Sequence, residues 1–207
     1  MARQSLAPPD YPSGPLPRGD GRTVLMIPGF MTGDWSMTRL GAFLSGLGYR
    51  VETAQVVFNA GPTPRMIAQL DATLLRLAKT VKVAILGQSL GGVLARDLAQ
   101  RHPGKVSLVV TLCSPIRFPV TTPLEPFARL MAPLHDPKWI ATRHAIAKPL
   151  AVPSVAIYST DDGIVDWRQC LQDEGPNAEN IQISGPHCTM GSNPQAQRAV
   201  ARALARR

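Results

Sequence analysis

The chain has 207 residues, 44% of them apolar and a formal charge of +8, which suits one compact domain with a sizeable core. Its basic residues are scattered, except on a C-terminal helix where Arg198, Arg202 and Arg206 recur every four residues as a solvated face. No aromatic-basic interleaving accompanies them, so no nucleic-acid partner is expected, while weak contact with an anionic membrane surface stays open.

Three cysteines, Cys113, Cys170 and Cys188, show no C-x-x-C pairing, so neither a disulfide framework nor a zinc site is implied. A Cys170–Cys188 bridge stays open for an oxidising compartment. Residues 1–21 are rich in proline and glycine, lack an apolar h-region and read as a loosely packed arm. No stretch approaches the roughly 18 apolar residues of a membrane span, and a cytoplasmic location is expected.

The domain itself runs from Arg22 to the end of the chain. Arg22 to Pro28 is a short apolar run broken by Pro28-Gly29-Phe30-Met31-Thr32-Gly33, and it predicts the first strand. Asp34 or Ser36 can cap the next helix, whose Leu40, Phe43, Leu44 and Leu47 form one stripe. Val51 to Phe58 reads as a strand, and Asn59-Ala60-Gly61-Pro62 as a turn. Ile67, Leu70, Leu74 and Leu77 then repeat at helical spacing.

The central feature is Val81 to Gly92, an apolar strand, a tight turn and a helix start. Gly87-Gln88-Ser89-Leu90-Gly91 fits G-x-S-x-G, whose small residues let strand and helix approach closely at a strained turn. Ser89 stands at its tip, and the Leu90 N–H points where an ester carbonyl would become an oxyanion. Another strand follows over Val106 to Leu112. Ile116 to Leu150 breaks the alternation with repeated prolines and reads as an insertion of short helices. Strands return at Val152 to Tyr158 and Ile181 to Ser184, and a helix from about Pro194 closes the chain. Such alternation predicts an α/β domain, a mostly parallel sheet of about six strands with helices on both faces.

A serine hydroxyl needs a base, and the base an orienting carboxylate. On a sheet of this kind they follow in the order Ser, acid, His, each after a strand. Only His187 of the four histidines follows the last strand. Asp162, with Asp161 as the open alternative, follows the strand before it. The second oxyanion donor is expected to be the Phe30 N–H. Metal and cofactor are not required by this chemistry.

Taken together, Ile-Pro-Gly-Phe-Met at 27–31, Gly-Gln-Ser-Leu-Gly-Gly at 87–92, Ser-Thr-Asp-Asp-Gly-Ile-Val at 159–165 and Gly-Pro-His-Cys at 185–188 resemble the α/β-hydrolase superfamily, in particular compact bacterial serine esterases and lipases. Pro28 stands where many lipases carry a histidine, a departure that keeps the Phe30 donor. The resemblance implies that residues 116–150 are the cap. Met31, Phe118, Phe127, Met131 and Trp139 are then expected to wall an acyl pocket, or alternatively to seal the core beneath a long connection. The expected activity is cleavage of a small-molecule ester through an acyl-enzyme on Ser89. Acyl transfer or thioester cleavage by the same residues, and a non-catalytic binding protein on this fold, remain the alternatives, and the oligomeric state is open.

Overall fold

A computed structural model describes residues 14–205. Six strands form one sheet in the order β2-β1-β3-β4-β5-β6, every pair parallel. They are β1 (Thr23–Ile27), β2 (Arg50–Thr53), β3 (Val83–Gln88), β4 (Val106–Leu112), β5 (Ser154–Ser159) and β6 (Ala178–Ile183). The helices are α1 (Thr38–Gly46), α2 (Pro64–Leu77), α3 (Leu90–Arg101), α4 (Glu125–Met131), α5 (Pro137–Thr142) and α6 (Pro194–Ala205).

A parallel sheet covered on both faces needs strands apolar on both sides, and β3 reads Val-Ala-Ile-Leu for that reason. Leu25, Ile27, Ile85 and Val109 turn to one face, where Leu70 and Leu74 of α2 and Val93, Leu94 and Leu98 of α3 bury them. Val24, Met26, Leu86 and Val110 turn to the other, against Leu40 and Leu44 of α1 and Val200 and Leu204 of α6. The expected α/β architecture with helices on both faces is what forms.

Several boundaries differ from the pattern reading. β2 stops at Thr53 instead of running to Phe58. Gln55 takes a φ of 58° that turns the chain away, leaving Val57 and Phe58 exposed although their composition is strand-like. β6 begins three residues early, in the polar Ala178-Glu179-Asn180, because an edge strand needs little apolar content. α1 begins at Thr38 after a 3-10 turn over Asp34–Met37, and neither Asp34 nor Ser36 caps it; the Asp34 carboxylate accepts the Val56 N–H instead (3.0 Å). The N-terminal arm lies outside the described residues up to 13. Nearer the domain, the Gly19 and Gly21 N–H groups bond Leu47 and Gly48 carbonyls at the end of α1, each at 2.8 Å. Arg206 also lies outside the described residues.

The connection from β4 to β5 carries α4 and α5. Its end is tied to α3 by Arg96, only 1% exposed. The guanidinium donates to the Ile146 carbonyl, the Lys148 carbonyl and Gln172 Oε1, each at 2.8 Å. Burial lowers its pKa to about 10, so it is still charged at neutral pH. All three cysteines are free, Cys113 and Cys170 buried and Cys188 exposed. Among the described residues no helix is long and apolar enough to cross a membrane.

Candidate active site

The sheet brings Ser89, Asp162 and His187 to one edge. Ser89 follows β3 with φ 54° and ψ −126°, a backbone state L-residues seldom occupy, and its N–H is held by the Leu112 carbonyl (2.9 Å). The turn closes only because a side chain is missing at its pivots. A Cβ on Gly91 would strike the Ile27 and Pro28 carbonyls, and one on Gly29 would come within 3.1 Å of the Ser89 Cβ.

Asp162 sits past β5 and is 4% exposed. Its Oδ1 accepts the Ile164 N–H (2.9 Å) and the Val165 N–H (2.6 Å), and its Oδ2 faces the His187 Nδ1 at 2.7 Å. One carboxylate therefore both closes the turn and orients the imidazole. Burial opposes its ionisation, but the His187 hydrogen bond and charge, with the two backbone donors, outweigh it and hold the carboxyl below its ordinary value. Asp161 is exposed on the neighbouring position.

His187 is fixed from three further directions. Its N–H bonds the Asp162 carbonyl (3.0 Å), and its own carbonyl receives the side-chain amide (3.3 Å) of Gln88, the residue before Ser89. The loop below is closed by Ser159 Oγ donating to the Gly185 carbonyl (2.7 Å). With Nδ1 paired to a carboxylate, the ring donates its proton there and leaves the Nε2 lone pair free. The other histidines are placed elsewhere. His102 pairs with Asp71 (2.7 Å), His135 lies 3.1 Å from the Ala60 carbonyl and His144 packs edge-on to Phe118.

Cys113 completes the floor. Its Sγ, an Asp162 carboxylate oxygen and a His187 ring nitrogen lie within 4.8 Å of one another. Burial first, then the Asp162 charge, push its thiol well above the ordinary value, so it stays protonated. A metal held by this trio would need a thiolate and would have to break the Asp162–His187 bond, so the arrangement suits proton transfer better than ligation.

Leu90 opens α3, and a first-turn N–H has no acceptor inside its own helix. Among the described residues the Phe30 N–H also donates to nothing. The loop carrying Phe30 is held by Asn59, whose neighbours have only the composition of a turn. It is fully buried; its Nδ2 donates to the Pro28 carbonyl (2.9 Å), its carbonyl accepts the Met31 N–H (2.9 Å), and its N–H reaches Thr32 (2.7 Å). Turn composition marks where the chain bends and carries no signal of burial, so Asn59 had only its place after a strand-like run to distinguish it. Asn59→Ala removes the side-chain bonds to Pro28 and Gly61. It is expected to cost about 1–3 kcal/mol of stability and to lower kcat more than it raises KM, as steady-state kinetics and thermal unfolding will show.

A cavity of about 520 Å³ opens beside Ser89 and Leu90, between them and the β4–β5 connection. Phe30, Phe118 and Trp139 line it, and Trp139 also belongs to the core packed on α3. Met31, Phe127 and Met131 do not line it. On α4 the cavity side is Glu125, Ala128, Arg129 and, one step on, Ala132, at helical spacing, which turns Phe127 outward to 48% exposure. Met31 is exposed beside the loop.

The sequence matches the α/β hydrolase fold family over residues 23–142. No curated protein matches it. Among solved structures, a metagenome-derived lipolytic enzyme superposes with a TM-score of 0.69 at 16% identity, covering 92% of this chain and 94% of that one. A monoacylglycerol lipase from Paleococcus ferrophilus gives 0.65 at 16%, covering 91% and 96%, and the thioesterase domain of the curacin biosynthetic pathway 0.60 at 15%, covering 92% and 93%. A match over more than half the chain, with a serine turn between β3 and α3 and an acid and a histidine after β5 and β6, makes this protein a member of the α/β hydrolase fold family.

Proposed function

We propose that the protein is a serine hydrolase that cleaves carboxylic esters. The observation that carries this is the buried 2.7 Å bond between His187 Nδ1 and Asp162, joined through the Gln88 amide on the His187 carbonyl to the strained turn of Ser89, which lines an apolar cavity. Ser89 Oγ attacks the ester carbonyl as its proton passes to His187 Nε2, and the Phe30 and Leu90 N–H groups receive the oxyanion. The C–O bond to the alcohol breaks, His187 protonates the leaving oxygen, and an acyl group remains on Ser89. Water, deprotonated by the same imidazole, then releases the acid. Asp162 stays ionised throughout and stabilises the imidazolium. Lipolytic and thioesterase neighbours of the same fold support acyl chemistry at such a site.

Labelling with a fluorophosphonate probe tests the reading, since only an activated serine reacts. The expected result is one adduct, on Ser89, lost in His187→Ala, together with turnover of p-nitrophenyl esters. A folded protein that takes up no probe would sink it and favour a binding protein on this fold.

A further inference from the structure

Arg143 follows α5 and lines the same cavity as Ser89. Its Nε is shut off from solvent and has no hydrogen-bond partner. Among the described residues the guanidinium forms no ion pair; its one contact of note is the Phe118 face, 5.7 Å from the ring centre. The acid on the same wall, Glu125, is already engaged with Arg129 at 2.7 Å and both are well exposed. The contrast with Arg96 is direct, for there each guanidinium nitrogen has an acceptor. An enclosed guanidinium N–H without an acceptor is costly, and proteins ordinarily supply one. The Nε itself is out of a ligand's reach, but the side chain as a whole is only half-buried and lines the cavity, so the terminal guanidinium nitrogens, which make no hydrogen bond among the described residues, are what the cavity offers to an acceptor.

Resting on the esterase reading above, we infer that the substrate carries an anionic group, and that Arg143 binds it at the wall of the cavity while the ester lies at Ser89. A planar guanidinium stacked on an aromatic ring presents its fork to a carboxylate or phosphate and gives charge-assisted, oriented hydrogen bonds. The apolar wall between accepts the hydrocarbon part, so the substrate class is an amphipathic ester, with a negative head apart from the scissile bond. The anion is either a carboxylate ending the acyl chain or a phosphate on the alcohol side.

Two matched pairs of esters separate these. One is the mono-p-nitrophenyl ester of suberic acid against its methyl-capped twin; the other is the butyryl ester of glycerol phosphate against that of glycerol. In one pair the anionic member is expected to exceed its twin in kcat/KM by about tenfold or more. Arg143→Met should bring the ratio of anionic to neutral turnover down to about one, and Arg143→Gln repeats the test if the methionine variant does not fold. Which pair responds identifies the anion. Equal turnover of both twins in both pairs, or a preference that survives in Arg143→Met, overturns the inference. If no ester is turned over at all, the esterase reading fails by itself. The inference is then decided by calorimetry on the Ser89→Ala protein with suberate monomethyl ester and with glycerol phosphate. Saturable binding lost on adding Arg143→Met upholds it, and no binding of either overturns it.

Discussion

Ser89→Ala is expected to lower kcat for p-nitrophenyl butyrate by about 10⁶, Asp162→Asn by about 10⁴, and Asp161→Asn hardly at all. The difference between the two aspartates follows from their hydrogen bonds. In Asp162→Asn the side-chain oxygen still accepts the Ile164 and Val165 N–H groups, so the turn survives. The new amide, however, presents N–H to His187 Nδ1, where a carboxylate oxygen stood at 2.7 Å. The imidazole must then carry its proton on Nε2, the atom that has to take the proton of Ser89. Fold and melting temperature change little while the base is lost. Asp161 is exposed, and its N–H rather than its carboxylate is tied in, to Ser159 Oγ at 3.1 Å. Steady-state kinetics on the three folded variants decide the matter. Comparable losses in Asp161→Asn and Asp162→Asn would remove Asp162 from its role.

Arg96→Met is expected to destabilise the protein by about 1–3 kcal/mol for each buried carbonyl that it leaves without a donor. The side chain is fully enclosed, and its removal leaves the Ile146 and Lys148 carbonyls without a donor inside the protein. Gln172 Oε1 loses less, because Ser154 Oγ also donates to it at 2.8 Å. For a chain of this length the melting temperature should fall by about 10 °C or more. Arg96→Lys should not restore it, since one ammonium on a flexible stem cannot serve three acceptors spread around a planar fork. Thermal unfolding by circular dichroism gives the answer. An unchanged melting temperature in Arg96→Met would mean that water takes over the carbonyls and that the network is replaceable.

The strands that position the site were legible because their signals are local. An apolar run stops at Gly87 and Ser89 stands two residues on; Asp162 stands three residues past the end of β5 and His187 four past the end of β6. What pattern reading could not reach depends on neighbours distant in sequence. Asn59 shows only a turn composition, and its burial arises from Pro28, 31 residues away. Arg96 lies in a helical run like any surface arginine, yet its partners lie 50 to 76 residues on. Phe127 and Ala128 are adjacent, and which of them meets the cavity depends on how α4 is rolled, which a proline-punctuated segment with mixed apolar faces does not encode. The end of β2 was missed for a different reason, because a single residue at positive φ redirects a chain whose composition still favours a strand.

The strand order has a consequence for how this molecule comes into being. Gln88 and His187 are 99 positions apart and still share a hydrogen bond, and β4 and β5 must both be in register between them before they can meet. β6 is an edge strand and the last of the six in chain order, so a nascent chain holds Ser89 long before it holds His187. Non-local parallel pairing is slow to form because loop closure must precede any gain from contact. The arrangement of Ser89, Asp162 and His187 is thus completed only once β6 has paired, and a partly folded chain, however much helix it holds, lacks it.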